Sequence, residues 1–252
     1  MSNEASPPEM GSAKQVKSAT RVMEIFELFA QEQRPLSLAE IGGRLSYPMA
    51  STSALLKSLQ AVDYLSYDRL ARTYSPTIRV AMLGDWVRAD VLRNGALVEV
   101  MQNLAHQLDA TIYLGMQNDL QAQYIHTEQP GRMLRHYLPP GKLRPLTNSA
   151  AGIMLLACLS DVQIAKLLTR LEGQRMVEVE PAEIWDRIKA ARQQGYASNR
   201  GLTKDIAAVA VPLPYRTNGR PLVLCLGVLE SRFDAEGEAL ISALQSSMTQ
   251  LS

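Results

Sequence analysis

The 252-residue sequence lacks the features that mark several classes of protein. It has only two cysteines, Cys158 and Cys225, and three histidines, so neither a disulfide framework nor a zinc site is expected. It contains no run of about 18 apolar residues that could span a membrane. Its N-terminus has no basic segment followed by an apolar stretch, as a signal peptide would. We therefore expect a cytoplasmic protein with two buried thiols.

Enzyme motifs are also missing. The sequence contains no glycine-rich phosphate loop and no Gly-X-Ser-X-Gly nucleophile turn. Cys158 lies in the apolar run Leu155–Leu159, which favours an inert thiol over a nucleophile that needs a distant histidine. We therefore expect no enzymatic activity, no cofactor and no metal.

Charge of one sign is not in excess, because 26 Lys and Arg residues face 25 Asp and Glu residues. Charge by itself therefore does not predict a nucleic-acid partner. Between Ile41 and Val80, however, five basic residues stand against Asp63 and Asp68. That local excess is modest and predicts a shallow salt dependence of any binding to DNA.

The strongest local pattern lies between Ser37 and Leu65. Ser37 and Glu40 have the spacing of a capping box, and the apolar residues among and after them recur with the spacing of one face of a short helix. Pro48 suits the first turn of a second helix. The inward face of that helix is predicted to carry Thr52, Leu55, Leu56, Leu59 and Val62, and the outward face Ala50, Ser53, Ala54 and Lys57. Two helices joined by a short turn form a helix-turn-helix, although a helical hairpin in an all-α core has the same pattern.

The flanking residues extend this pattern to a winged helix. Ser18 to Ala30 has the apolar period of a first helix, and Asp63 to Ser75 is predicted to form a two-stranded ribbon. The tip of such a ribbon reaches phosphate or the minor groove, which makes Arg69 and Arg72 candidate backbone contacts. Solvated turn arginines are the alternative.

Several of these segments together resemble the isocitrate lyase regulator (IclR) family of bacterial transcription factors. The segments are Lys17–Val22, Pro35–Ile41, the Tyr47–Pro48 turn, Leu55–Leu59 and the ribbon, and the similarity continues in order to the C-terminus. The sequence departs from the family after Pro48. Family members commonly carry a Lys-Ser-Thr-Val-His-Arg-like segment there, and this chain has Met49–Ala54 with alanine at the basic position.

This difference from the family indicates that DNA binding relies more on Ser51, Ser53, Lys57 and the ribbon. The candidate DNA contacts are Lys17, Ser18, Arg21, Ser37, Pro48, Met49, Ala50, Ser51, Ser53, Lys57, Arg69 and Arg72. The domains expected from the pattern and the resemblance are a disordered arm (1–16), a winged helix-turn-helix DNA-binding domain (17–76), a linker helix that contributes to dimerisation (77–93) and an effector-binding domain (94–252).

The second half of the chain mixes helical and strand patterns, which predicts an α+β fold with an antiparallel sheet covered by helices. Predicted helices are Gly95–Leu108, Asp161–Leu171, Pro181–Gln194 and one from Asp234 to the end, and the segment Arg144–Gly152 is predicted to open a further helix that runs through Leu159. Predicted strands are Thr111–Met116, Gln121–Thr127, Leu134–Leu138, Ile206–Leu213 and Leu222–Leu229. The resemblance implies a GAF-like domain with a cup on one face of the sheet.

The segment from Arg144 to Gly152 is the most informative part of this half. Thr147, Asn148 or Ser149 precedes a helix as an N-cap does, and the amides of a first turn can hold an anion. Family resemblance places an effector pocket here and implies small organic acids, aromatic ones among them. The alternative is that the cap only serves its own helix.

Other candidates come from the neighbouring strands. Arg200 and Lys204 would make the pocket edge favourable to an anion if their loop faces inward. The candidate effector-binding residues are Tyr113, Met116, Arg135, Tyr137, Thr147, Asn148, Ser149, Ala150, Asn199 and Cys225.

We therefore expect a one-component transcriptional regulator. It would bind palindromic operator DNA as a homodimer or tetramer, and a small organic anion would modulate that binding. One alternative is a metabolic enzyme with an accessory helical domain, which the missing catalytic set argues against. The other is a winged-helix protein-interaction module joined to a small-molecule-sensing domain.

Overall fold

The computed structural model describes residues 16–92, 95–130, 138–176 and 179–251. The chain forms two compact units that divide between Trp86 and Val87. Nearly all of the predicted disordered arm, residues 1–15, lies outside the described residues. None of the described helices combines the length and the apolar content that a membrane-spanning segment requires.

The N-terminal unit is a winged helix-turn-helix, as predicted. Its elements are α1 (Lys17–Glu32), β1 (Leu36–Ser37), α2 (Leu38–Leu45), α3 (Met49–Ala61), β2 (Leu65–Asp68) and β3 (Thr73–Pro76). The antiparallel sheet has the order β1-β3-β2. Strand β1 was not predicted, because it is two residues long and forms only where Leu36 pairs with Tyr74.

The predicted capping box fixes the start of α2. The Ser37 amide and hydroxyl each donate to a Glu40 carboxylate oxygen at 2.8 Å, and the Ser37 oxygen accepts from the Glu40 amide at 3.3 Å. Helix α3 buries Thr52, Leu56 and Leu59 against the core, as predicted. The prediction for Val62 was wrong: this residue follows the last turn of α3 and is 53% exposed.

Helix α4 (Ile78–Val91) spans the boundary between the two units. It begins one residue later than the predicted position 77, because Pro76 pairs with Leu65 in the sheet and Thr77 precedes the helix. The Thr77 hydroxyl accepts from the Arg79 amide at 3.3 Å and so caps the new helix.

The C-terminal unit is an antiparallel sheet covered by helices, which confirms the predicted α+β fold. Its elements are α5 (Ala96–Leu108), β4 (Thr111–Asn118), β5 (Gln121–Glu128), β6 (Leu143–Pro145), α6 (Ala150–Ala157), α7 (Asp161–Gly173), α8 (Pro181–Gln194), β7 (Ala197–Thr203), β8 (Ile206–Thr217), β9 (Arg220–Leu229) and α9 (Glu230–Ser247), followed by a 3-10 turn (Met248–Leu251). The strand order is β6-β5-β4-β9-β8-β7.

Two separate apolar clusters form on the two faces of this sheet. Tyr113, Tyr124 and Cys225 belong to the cluster that α6, α7 and α8 cover. Leu114 and Leu224 belong to the cluster that α5 and α9 cover. Alternation along each strand produces this division, since successive side chains point to opposite faces.

Three predicted elements differ from the structure. The segment Arg144–Gly152, predicted to open a helix, begins with an edge strand, because Leu143–Pro145 pairs with β5. The helix α6 follows the predicted cap position at Ser149 and ends at Ala157, two residues before the predicted end. The final helix begins at Glu230, four residues before the predicted start at Asp234. Of the strand predicted at Leu134–Leu138, residues 134–137 lie outside the described residues.

Candidate functional site

A cavity of about 260 Å³ lies on the sheet face that α6 covers. It is lined by Tyr113, Tyr124, Leu138, Arg144, Ser149, Ala150, Asn199, Leu202, Thr203, Ile206, Ala208 and Gly227. Arg144 comes from β6 and Thr203 from β7, the two opposite edges of the sheet. The Arg144 guanidinium nevertheless donates to the Thr203 hydroxyl at 3.1 Å. The sheet is therefore curled until its edges meet, and the cavity lies inside the curl.

Two stacked tyrosines occupy the cavity wall. The rings of Tyr113 and Tyr124 have centroids 4.7 Å apart and an interplanar angle of 22°. A Cβ on Gly227 would come within 3.2 Å of the Tyr113 ring, so the absence of a side chain there leaves space for the ring. Burial raises the pKa of Tyr113 to about 12 and raises that of Tyr124 as well. Both phenols therefore stay neutral at physiological pH and keep a proton to donate.

Arg144 is the one cationic side chain among the described lining residues, and none of those residues is Asp or Glu. The guanidinium is half-buried and lowers the pKa of both tyrosines against the larger effect of burial. The rest of the wall is mainly apolar, with Leu138, Leu202 and Ile206. A half-buried cation in such surroundings attracts an anion more strongly than an exposed arginine does, because water screens it less.

The N-terminus of α6 forms another part of the wall. The Ser149 oxygen accepts from the Gly152 amide at 3.0 Å, and its hydroxyl donates to the Pro145 carbonyl at 2.6 Å. A Cβ on Gly152 would collide with the backbone of Pro145 and Leu146. Residue 152 must therefore be glycine for α6 to pack this close to β6. The contact brings Ser149 and Ala150 to the cavity.

Arg187 of α8 holds the loop before α6. Its guanidinium donates to the Thr147 carbonyl at 3.2 Å and to the Asn148 side-chain oxygen at 3.4 Å. Thr147 is 1% exposed. Neither Thr147 nor Asn148 belongs to the cavity lining, so both act here on the loop and its packing.

The structure brings only some of the predicted effector residues together. Tyr113, Ser149, Ala150 and Asn199 line the cavity. Cys225 is 1% exposed and lies beneath it in the core, where burial raises the thiol pKa. Predicted residues Arg135 and Tyr137 lie outside the described residues.

Two further expectations differ from the observed geometry. Met116 packs in the apolar cluster on the opposite face of the sheet. Arg200 forms an ion pair with Asp234 and lies over the Phe233 ring at 5.1 Å, beside α9. The anion-favouring cation at the cavity is therefore Arg144, and Arg200 is engaged elsewhere.

Sequence reasoning missed most of the lining: Tyr124, Leu138, Arg144, Leu202, Thr203, Ile206, Ala208 and Gly227. Tyr124 had a usable signal, since it lies two residues after Ala122 in a predicted strand and so shares the inward face with it. Thr203 had none. The pairing of β7 with β8 shifts between Arg200 and Thr203, and Gly201 there has φ +77°, so no regular alternation predicts the direction of Thr203.

The second candidate site is the outer face of α3 in the N-terminal unit. Ala50, Ala54 and Lys57 are exposed, and Met49 is 48% exposed. Pro48 is the N-cap, and the Ser51 hydroxyl donates to its carbonyl at 2.9 Å. Ser53 is half-buried.

The remaining predicted DNA contacts surround this helix. Lys17 and Ser18 are exposed at the start of α1. The Arg21 guanidinium lies over the Tyr47 ring at 4.6 Å, close to the turn before α3. Ser37 is committed to the capping box, which identifies a structural role for its hydroxyl.

The β2–β3 ribbon, hereafter the wing, has a hydrogen-bonded tip. The Asp68 carboxylate accepts from the amides of Leu70 and Ala71 at 2.8 and 3.0 Å. Arg69 and Arg72 are exposed on either side of Leu70, which is itself 98% exposed. Arg72 has φ +55°, in the left-handed region. The tip therefore presents two cations in a fixed turn.

Comparison with known families gives two matches. The family model described as the bacterial transcriptional regulator IclR C-terminal matches residues 89–252. The IclR helix-turn-helix domain matches residues 18–69.

Named relatives are similar over most of both chains. The chain is 25% identical over 210 residues to the HTH-type transcriptional regulator KdgR of Escherichia coli (strain K12), covering 79% of this chain and 78% of that protein. It is 25% identical over 200 residues to the transcriptional repressor IclR of the same organism, covering 73% and 69%.

Solved structures share the fold. The IclR regulator from Alicyclobacillus acidocaldarius superposes with a TM-score of 0.77 at 26% identity, covering 94% of this chain and 98% of that one. An IclR homolog from Microbacterium hydrocarbonoxydans complexed with 4-hydroxybenzoate has a TM-score of 0.78 at 14% identity, covering 93% and 97%. The second similarity concerns the fold alone.

Proposed function

The chain belongs to the IclR family of bacterial transcriptional regulators, and from that premise we propose that a small organic anion in the cavity modulates its binding to operator DNA. As a member of the family it is a transcriptional regulator with a helix-turn-helix DNA-binding domain and a C-terminal domain. The relatives are named as regulators and repressors, in agreement with the prediction that the chain is not an enzyme.

The single observation that supports an anionic effector is Arg144, the one cation among the described lining residues, none of which is Asp or Glu. A carboxylate on Arg144 would gain a charge-assisted hydrogen bond and could also accept from a neutral tyrosine. A cationic ligand would be repelled by Arg144, and the described part of the lining has no carboxylate to compensate. Pockets for drug-sized ligands occupy about 300–1,000 Å³. At about 260 Å³ this cavity suits a smaller metabolite.

A thermal-shift screen of the full-length protein tests this proposal. The first probes are 4-hydroxybenzoate, benzoate and short aliphatic acids, each paired with its uncharged amide. A ligand present at about 100 times its Kd stabilises the protein by about 2.7 kcal/mol, a shift that melting detects readily. We expect an acid to raise the melting temperature and its amide to have little effect.

Arg144→Met separates charge from shape in the same assay. The substitution keeps an extended apolar side chain and removes the guanidinium, so carboxylate affinity should fall about tenfold or more. Arg170→Met is the matched control, because Arg170 lies on the surface in an ion pair with Asp119. Equal loss in both variants, or equal binding of acids and amides, would contradict the proposed role of Arg144.

On the DNA side, the proposal is that α3 of each subunit enters a major groove of a palindromic operator in the cytoplasm, with the wing on the adjacent backbone. Exposed Lys57, Arg69 and Arg72 support this arrangement by charge. A mobility shift on the DNA upstream of the protein's own gene is the direct test. Winged-helix modules that bind protein would give no shift.

The proposal also includes assembly into a dimer or tetramer, with residues 77–93 as the linker between a DNA-binding domain (17–76) and an effector-binding domain (94–252). Helix α4 supports it, because Ile78, Met82 and Leu83 are 74%, 67% and 60% exposed in the single chain. Covering these side chains would bury apolar surface. Light scattering of the purified protein measures the assembly. An effector can then shift the assembly between arrangements only as far as its affinity differs between them.

A further inference from the structure

The exposed face of α3 has almost no side chain that pairs with a base edge. From Met49 to Leu59 the sequence contains no Arg, Asn, Gln, Asp or Glu, and the one such residue of α3 is the exposed Gln60 in its last turn. Arginine and lysine are the usual partners of guanine, asparagine and glutamine those of adenine, and the acidic side chains those of cytosine. Lys57 is the only charged residue in this stretch, and it lies in the third turn of the helix.

Most hydroxyl groups on α3 already donate within the helix. Ser51 and Thr52 both donate to the Pro48 carbonyl, at 2.9 and 3.1 Å. Ser58 donates to the Ala54 carbonyl at 2.9 Å. Ser53 is the remaining hydroxyl of this stretch, and it is half-buried. Few polar groups in this stretch of the helix therefore remain to donate hydrogen bonds to base edges.

What α3 does expose at its start is a row of methyl groups. Ala50 and Ala54 are exposed one turn apart, and Met49 is 48% exposed. The Met49 sulfur lies close to the turn of α2, since a Cβ added to Gly42 would be 3.0 Å from it. In the major groove, the apolar feature that distinguishes one base from the others is the C5-methyl group of thymine.

We propose that α3 recognises thymine methyl groups through Met49, Ala50 and Ala54, and that guanine and adenine edges contribute little to its specificity. The proposal rests on the proposed entry of α3 into the major groove. Lys57, Arg69 and Arg72 then bind phosphates. Such contacts hold the helix in register on the duplex without selecting its sequence. The occupant of this face is accordingly a thymine-containing half-site of duplex DNA.

The test begins with duplexes selected from a random pool by the full-length protein. Each thymine of the half-site is then replaced by uracil, which removes only the methyl group. We expect affinity to fall about fourfold for each contacted methyl, as burial of one methyl group implies. Replacing guanines by 7-deazaguanine, which removes the N7 acceptor, should change affinity less than twofold, well below the cost of losing a bidentate base contact.

Met49→Ala tests which side chain contacts a thymine methyl group. In this variant the uracil penalty should disappear at one thymine, a non-additivity expected only of groups in contact. Met23→Ala is the matched control, because Met23 is 59% exposed on α1 of the same unit. Ala54→Arg adds a guanidinium to the same face, so selection with it should enrich guanine at one position. Melting curves check that each variant is folded.

The outcomes separate the inference from the function on which it rests. If no duplex is enriched, operator binding fails and this inference fails with it. If duplexes are enriched but uracil has no effect and 7-deazaguanine weakens binding, operator binding stands and thymine recognition is overturned. An undiminished uracil penalty at every thymine in Met49→Ala would likewise overturn the role assigned to Met49.

Discussion

Replacing Gly152 by alanine should destabilise the C-terminal unit and weaken effector binding. The added Cβ would collide with backbone atoms of Pro145 and Leu146, which cannot rotate away as the end of a side chain can. Overpacking of this kind costs about 1–3 kcal/mol. A change of 1 kcal/mol shifts the melting temperature of a domain this large by about 2–4 °C. A cost of about 2 kcal/mol therefore predicts a fall of about 4–8 °C.

Gly173→Ala is the matched control, because Gly173 also lies in a helix of this unit and has nothing within 4 Å of its added Cβ. Alanine in a helix is up to about 1 kcal/mol more favourable than glycine. Calorimetry should therefore show opposite shifts for the two variants. The collision also displaces Ser149 and Ala150 at the cavity, so a carboxylate found by the screen should bind less tightly to Gly152→Ala. A Gly152→Ala protein that melts at or above the wild-type temperature would refute the reasoning.

Three further predictions concern the N-terminal unit. The pKa of Glu40 is lowered from 4.5 to about 2, first by the Ser37 amide, then by the Ser37 hydroxyl and by Arg34. The capping box therefore stabilises fully above about pH 4.5 and loses its contribution as pH falls through about 2. The urea midpoint of wild type should fall relative to that of Glu40→Gln only in this window, and a constant difference would exclude the linkage. Arg72→Gly should raise the free energy of unfolding by up to about 1 kcal/mol, because glycine adopts φ +55° without the steric strain of a side chain. The same substitution should weaken DNA binding, and an unchanged affinity would show that Arg72 does not contact the DNA. Lys57→Ala should lower the slope of log K against log salt by about 0.9, the value for one phosphate contact, and an unchanged slope would show that Lys57 contacts no phosphate.

The N-terminal fold was predictable because its signals are local. The capping box needs only residues three apart, and the inward face of α3 follows from helical period. The prediction for Val62 was wrong because the helix ends one residue earlier, at Ala61. The short strand β1 was missed because its pairing with Tyr74 is set by contact with a distant part of the chain.

The cavity was only partly predictable. Ser149 and Ala150 follow from the N-cap pattern, since a cap and its first turn are neighbours in sequence. The grouping of Met116 with Tyr113 conflicted with strand alternation, which sends residues three apart to opposite faces. Arg144 was placed in the segment that opens a helix and was not predicted as a strand residue, so its direction became apparent only once β6 was paired with β5.

The sequence by itself determined the winged helix, the α+β class and the small side chains on the outer face of α3, because periodicity and capping act between near neighbours. Only the tertiary structure decided which cation faces the cavity. Arg144 and Thr203 are 59 residues apart, on opposite edges of one sheet, and they meet because that sheet curls. The curvature of the sheet results from the twist and packing of all six strands together, so no local pattern of residues encodes it.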